Sequence, residues 1–292
     1  MDCEKLGIGT AQWGMRYGLA NQSGRPAQDE LGRMLDHGRA EGISLLDTAR
    51  MYGDAESIIG AMQTQDLRIV TKMPALVTAA DQEVSTFLHR NFQESLKLLN
   101  TDCVYGYLIH HSGDILGKHG KEVREFLEGL RAIGKVKKIG VSIYDGYEVN
   151  EVLRSFRPDI VQLPLNVLDQ RLLLDGTLAM LKSERIEVHV RSVFLQGLLL
   201  MDLNHIPPYF EPVRPLLKRW HARAHLQHLT LPEAALSFVR ELSEVGTVIV
   251  GAESLAQLRE ITAAFRTPGI CDASDLACQD VQWVDPRQWK TI

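Results

Sequence analysis

Short apolar runs and longer amphipathic stretches alternate along nearly the whole chain. The runs predict strands over residues 6–11, 43–48, 67–72, 104–110, 138–143, 160–165, 187–193 and 248–251. Runs of four to eight apolar residues with little polar alternation are what buried parallel strands look like. Between and after them, helical patterns cover 29–41, 55–62, 82–99, 120–133, 147–155, 172–183, 232–242 and 254–265. Val84, Phe87, Leu88, Phe92, Leu96 and Leu99 recur at i, i+3 and i+4, the spacing that lays one apolar stripe along a helix. Val123, Phe126, Leu127 and Leu130 repeat it, and Gly134 then stands where a helix C-cap glycine belongs.

Eight β-then-α units with short turns predict an α/β protein of the (β/α)8 TIM-barrel class, as a single domain over residues 1–292. An open doubly wound sheet is the alternative. It places a glycine fingerprint after its first strand, and Gly7-Ile8-Gly9-Thr10-Ala11 lacks the third glycine. Two segments exceed what a barrel needs, 12–28 after the first strand and 201–229 after the seventh. Loops after strands lie on the ligand-binding face, so both are expected to wall a pocket. The aromatic tail at 283–289 is expected either to dock on the barrel exterior or to reach that pocket.

Composition changes this picture little. A chain of 292 residues with 45% hydrophobic and 24% charged residues suits an ordinary globular protein. A net charge of -5 without a concentrated basic face speaks against nucleic acid as a partner. No basic-then-apolar leader is visible, and no run nears the ~20 apolar residues that span a bilayer. Cys3, Cys103, Cys271 and Cys278 lack paired spacing and read as reduced thiols, so a cytoplasmic location with no membrane and no obligate protein partner is expected. His221, His225 and His228 are spaced for one helix face, but with Arg219 and Arg223 they read as a solvated basic face, and no metal site is expected.

Candidate chemistry gathers at the predicted strand ends. The second strand ends in Asp47, and Tyr52 and Gly53 follow. Asp47 reads equally as a cap for the helix near Asp54 and as half of an acid–base site. The third strand ends in Lys72 and the fourth in His110 and His111. A tyrosine hydroxyl titrates near ~10, too high for efficient acid–base work at neutral pH. A nearby ammonium would lower that value, an aspartate would hold the ammonium, and a histidine would meet a substrate oxygen.

These residues resemble the aldo-keto reductases. The matching text is Leu46-Asp47-Thr48-Ala49-x-x-Tyr52-Gly53-Asp54-Ala55-Glu56, then Val70-Thr71-Lys72, then Leu108-Ile109-His110. The resemblance implies a catalytic tetrad at Asp47, Tyr52, Lys72 and His110. It also implies nicotinamide-cofactor contacts at Gly9, Thr10, Asp47, Ser142, Gln162, Arg191, Ser192, Gly197, Leu198, Gly251, Ser254, Gln257 and Glu260. Ile143 replaces an asparagine of the family's carboxamide-binding turn. Arg191 stands where relatives stack a tyrosine on the nicotinamide. Gly251 and Gln257 stand where many relatives carry cations for the 2′-phosphate, and Glu253 is close by. NADP(H) is the family default and NAD(H) the other possibility. Trp13, Tyr17, Met51, His111 and Asn166 are expected to line the substrate pocket. The implied activity is reduction of an aldehyde, ketone or sugar carbonyl by direct hydride transfer with Tyr52 as acid. A cofactor-binding sensor with little turnover, and a sugar or alcohol dehydrogenase, are the alternatives.

Overall fold

Eight apolar runs pair side by side in sequence order, all parallel, and the eighth returns to the first to close a barrel. The computed structural model describes residues 3–21, 24–76, 83–269 and 272–289. The strands are β1 (Leu6–Gly9), β2 (Leu45–Asp47), β3 (Arg68–Met73), β4 (Val104–Ile109), β5 (Val136–Ser142), β6 (Ile160–Pro164), β7 (Glu187–Arg191) and β8 (Thr247–Gly251). Helices Gln28–Ala40, Ala55–Gly60, Val84–Leu98, Gly120–Ala132, Gly146–Leu153, Thr177–Ser183, Leu231–Arg240 and Leu255–Arg266 follow them in turn. This is the expected (β/α)8 architecture. Gln82, the first residue of the helix expected at 82–99, lies outside the described residues.

Side chains alternate across a strand, so every strand has an outward and an inward set. Leu46, Ile69, Tyr107, Ile109 and Val161 point outward and join the helix stripes (Phe87, Phe92, Val123, Leu127) in one continuous core. Leu45, Val70, Leu108 and Ile160 point inward and form a small separate cluster inside the barrel. Two residues further along each strand, the same parity carries Asp47, Lys72, His110 and Gln162 to the carboxyl-terminal mouth. The interior is tight: a Cβ on Gly140 would lie 2.2 Å from the Ile160 carbonyl oxygen.

Several boundaries differ from expectation for local reasons. Ala11 belongs to a short helix, Ala11–Gly14, rather than to β1. β7 stops at Arg191 because Ser192 turns to φ 61°. The helix expected at 172–183 is two helices, Arg171–Leu174 and Thr177–Ser183, broken at Gly176 with φ 83°. The segment 201–229 is mostly not a pocket wall: it contains the helix Arg214–Leu226, with Phe210 and Trp220 fully buried. Trp220 Nε1 donates to the Leu199 carbonyl at 2.9 Å. Only its first residues, Met201, Asp202 and His205, reach the mouth cleft. The tail docks here too, with Trp283 packed 5.4 Å from Tyr209 and Trp289 4.8 Å from Phe210. Cys103 and Cys278 are free thiols, Cys3 is buried with its thiol 3.7 Å from the Thr262 carbonyl, and Cys271 lies outside the described residues. No helix among the described residues is long and apolar enough to cross a membrane.

Candidate active site

Lys72 Nζ donates to Asp47 Oδ2 at 2.7 Å and to the Thr48 carbonyl at 2.8 Å. The second carboxylate oxygen, Oδ1, accepts from Gln162 Nε2 at 2.7 Å. Both charges are out of water, with Lys72 at 0% and Asp47 at 4% exposure. Taking two ions out of water is costly unless each finds an opposite charge and further hydrogen bonds, and this pair finds both. Asp47 therefore does not cap a helix; the helix Ala55–Gly60 follows Asp54 with no side-chain cap. Thr10 ties β1 to this point, donating to the Asp47 carbonyl from its N–H and its hydroxyl at 2.9 and 3.0 Å.

Tyr52 reaches the mouth from the loop after β2. That loop sits directly on the helix Ala11–Gly14: a Cβ on Gly14 would lie 1.7 Å from the Tyr52 carbonyl oxygen. Gly53, at φ 55°, faces Gly14 in turn, a conformation that favours glycine. The Tyr52 ring centroid lies 5.1 Å from Lys72 Nζ and stands edge-on to His110 at 6.0 Å between centroids. His110 Nδ1 is buried without a hydrogen-bond partner, and His111, exposed, lies 5.5 Å beyond.

Electrostatics sort these groups by protonation state. Burial pushes the Tyr52 hydroxyl well above its ordinary value, Asp47 adds to this, and Arg191 opposes it. Tyr52 is thus a protonated phenol at neutral pH. Asp47 pairs with the Lys72 ammonium beneath the ring, and Arg191 is a second cation that opposes burial at Tyr52. Burial lowers Lys72, with Asp47 resisting. Burial first, then Lys72, His111 and Arg191, push His110 down to about 3, so its imidazole is neutral at pH 7.

A cleft of ≈ 680 Å³ runs from Asp47 and Tyr52 past Arg191 and Ser192 to Gly251, Glu253 and Gln257. Its wall after β7 carries a cluster of left-handed residues: Ser192, Leu195, Gln196 and Gly197 at φ 61°, 48°, 54° and 93°. Non-glycine residues hold such angles at a cost of about 1–3 kcal/mol each. Within the turn, Leu195 N–H donates to the Ser192 carbonyl and Gly197 N–H to the Phe194 carbonyl, both at 2.9 Å. The Gln196 carbonyl accepts from Leu19 and Ala20 N–H at 3.0 and 3.3 Å, joining this wall to the loop after β1.

Gly9, Thr10, Asp47, Tyr52, Tyr17, Arg191, Ser192, Gly197, Gly251, Gln257 and Glu260 all line the cleft. Ser142 and Gln162 are buried at 3% and 1%, and Leu198 is buried in the core. Ser254 caps the helix Leu255–Arg266 by accepting from Gln257 N–H. Of the five expected pocket residues only Tyr17 is among the described residues lining the cleft; Trp13, Met51, His111 and Asn166 are not. Trp13 is wholly buried in the core. Asn166 is also wholly buried, its amide donating to the Ser192 carbonyl at 3.1 Å and accepting from Leu168 and Asp169 N–H. It staples the loop after β6 to that after β7. Met51 is 59% exposed, outside the cleft. His221 lies on the helix Arg214–Leu226 with His225, whereas His228 follows it at φ 56°. Among the described residues no His, Cys, Asp and Glu cluster could hold a metal ion.

Sequence reasoning missed Tyr144 and Arg287. The Arg191 guanidinium lies 4.1 Å from the Tyr144 ring centroid, and that of Arg287, from the tail, 3.3 Å. Tyr144 stands two residues past Ser142, at the parity of the inward positions, which was a usable signal. Nothing local marks Arg287.

A parallel eight-stranded barrel with an aspartate–lysine pair, a tyrosine and a neutral histidine at its mouth, beside an elongated cleft, defines a barrel oxidoreductase that works with a dinucleotide. A family model described as the Aldo/keto reductase family matches residues 5–272, and the chain belongs to that family. It is 26% identical over 299 residues to the NADH-specific methylglyoxal reductase of Escherichia coli (strain K12), covering 89% of each chain. It is 30% identical over 202 residues to the glyoxal reductase of Bacillus subtilis (strain 168), covering 66% of this chain and 69% of the relative. The holo form of an aldo-keto reductase from Bacillus halodurans shares the fold, with a TM-score of 0.77 at 20% identity over 98% of this chain and 95% of that one. The protein is an NAD(P)-dependent oxidoreductase that reduces carbonyls.

Proposed function

We propose that the whole chain is one barrel domain that reduces small aldehydes and ketones of the 2-oxoaldehyde kind with NADH, in the cytoplasm. The observation that carries this reading is the buried Asp47–Lys72 pair held beneath Tyr52 and beside the unpartnered Nδ1 of a neutral His110. The cleft fits a dinucleotide: Gly251 leaves its floor without a side chain, and the left-handed turn at 195–197 forms a wall suited to a pyrophosphate. Gly9 and Gly197, without side chains, would let that group approach the wall, and the Ser192 hydroxyl would donate to it. The bound nicotinamide supplies the hydride. The protein's own residues do the rest. His110 orients the carbonyl oxygen, and Tyr52 gives its hydroxyl proton to the alkoxide that develops there. Lys72, kept charged by Asp47, stabilises the phenolate left behind until solvent reprotonates it. The named activities of the Escherichia coli and Bacillus subtilis relatives, on methylglyoxal and glyoxal, support the substrate class.

NADH is favoured over NADPH by the far end of the cleft. Glu253 and Glu260 line it, whereas Arg191 is the only lysine or arginine among the described lining residues and lies at the opposite end. The start of the helix Leu255–Arg266 already receives a carboxylate, with Leu255 N–H donating to Glu30 Oε1 at 2.6 Å. Gln257 Oε1 is taken by the Glu253 N–H at 2.8 Å. A 2′-phosphate would meet carboxylates, whereas a free ribose hydroxyl can donate to them. The Escherichia coli relative is named for NADH specificity. Fluorescence titration should show NADH bound at least ~10-fold tighter than NADPH, with Glu253→Gln narrowing the gap. NADH oxidation should follow on adding methylglyoxal or glyoxal. Tighter NADPH binding would overturn the cofactor assignment, and no oxidation with either aldehyde would overturn the substrate class.

A further inference from the structure

Several cations around the mouth are neutralised by carboxylates. Lys72 has Asp47, Arg171 holds Asp169 through two bonds of 2.8 and 2.9 Å, and Arg287 holds Asp285 through bonds from Nε and Nη2. Arg191 has no carboxylate in ion-pair range among the described residues. Its Nη2 donates to the Ile143 carbonyl at 3.2 Å and its Nη1 weakly to Ser192 Oγ at 3.4 Å, which leaves most of its five N–H donors free. The guanidinium is held in place by the Tyr144 ring, 4.1 Å away, and that ring is held in turn by Arg287 from the tail. Arg191 is also close enough to act electrostatically on Tyr52, His110 and Lys72 together. A fixed, half-buried fork with an uncompensated charge beside a proton donor is built for a carboxylate. From these contacts we infer that Arg191, seated on Tyr144, binds a carboxylate adjacent to the reacting carbonyl, so that the substrates extend from 2-oxoaldehydes to 2-oxo acids, with a free carboxylate favoured over its uncharged ester. The inference rests on Tyr52 and His110 meeting the carbonyl oxygen. The alternative use of the free charge is the cofactor pyrophosphate, because Ser192, which accepts from Arg191, stands in the wall assigned to that group; the NADH-affinity arm of the test separates the two.

The test compares glyoxylate with its uncharged methyl ester in the NADH-loaded enzyme. Wild type should prefer glyoxylate in kcat/KM, and Arg191→Gln should reduce that ratio by about 10- to 100-fold, the size expected for losing a charge-assisted hydrogen-bonded pair. Arg191→Lys, which keeps the charge without the fork, should fall between. Oxamate, an unreactive carboxylate of similar shape, should raise the melting temperature of the NADH-loaded wild type and not of Arg191→Gln. A ratio unchanged in Arg191→Gln, or a loss confined to NADH affinity, overturns the inference and assigns Arg191 to the cofactor. If methylglyoxal is reduced but neither glyoxylate nor its ester is, the inference fails while the proposed function stands; if methylglyoxal is not reduced either, the proposed function fails and oxamate binding decides the carboxylate site.

Discussion

The two ends of the barrel handle charge in opposite ways. At the amino-terminal end, Glu187 takes hydrogen bonds from Lys138, from His189 Nε2 at 2.7 Å and from the Tyr105 hydroxyl at 3.0 Å. Arg68 lies 5.2 Å from the Tyr105 centroid and donates to Ser44 Oγ. His189 Nδ1 is left over, buried without a partner among the described residues. At the carboxyl-terminal end, the Asp47–Lys72 pair is similarly complete, but around it stand the unpaired Arg191, the orphaned His110 Nδ1 and a Tyr52 hydroxyl with no hydrogen-bond partner among the described residues. The same alternation of side chains builds both layers. One end closes its polar groups on each other for stability, and the other leaves them open for a ligand.

The comparison breaks most visibly at Lys72. Lys72→Met would strand a buried carboxylate, so unfolding free energy should fall by about 3–5 kcal/mol and turnover should vanish with it. Denaturant titration that finds no loss would mean the pair is not a buried ion pair. Acid unfolding separates the two ends more finely. His110 is held at about 3, below its unfolded value near ~6.5, so the unfolded chain binds that proton first and stability drops as pH falls from ~6.5 toward 3. Burial opposes ionisation of Glu187, but bonds from His189 and Lys138 outweigh it and hold the carboxyl at about 2. Its contribution is full above its unfolded value near ~4.3 and is lost as pH falls to 2. His110→Gln should therefore flatten the limb above pH ~4.5. Glu187→Gln should cost about 1–3 kcal/mol at neutral pH, a deficit that closes below pH ~4.3. Denaturant midpoints measured against pH would read both, and a single shared acid limb would erase the distinction.

Much of this was legible in the sequence because strands impose a period of two. Once 43–48, 67–72 and 104–110 are strands, parity alone sends Asp47, Lys72 and His110 to one mouth. Tyr52 was readable for a different reason: the text Asp47-Thr48-Ala49-x-x-Tyr52-Gly53 resembles the reductase pattern. The misplaced residues depend on docking that no local pattern encodes. Trp13 looked like a pocket aromatic, yet Gly14 lets the Tyr52 loop settle on its helix and turns the indole into the core. Asn166 sits at a strand mouth, but the left-handed turn after β7 brings the Ser192 carbonyl to its amide. The Arg191–Tyr144–Arg287 stack joins three segments far apart in sequence and exists only because the tail packs on the 201–213 segment through Trp283 and Trp289. Helix breaks at Gly176 and strand ends at Ser192 likewise follow from single backbone angles rather than hydrophobic spacing.

The open end is tested most directly by removing one oxygen atom. Tyr52→Phe deletes a hydroxyl that has no hydrogen-bond partner among the described residues, so its melting temperature should stay within about 2 °C of wild type. NADH affinity, read by fluorescence titration on the same samples, should change by less than about threefold, while kcat with methylglyoxal should fall by about 10²–10⁴-fold. A folded Tyr52→Phe protein that keeps wild-type turnover would contradict the assignment of Tyr52 as the proton donor, and with it the division of the barrel into a closed end and a working end.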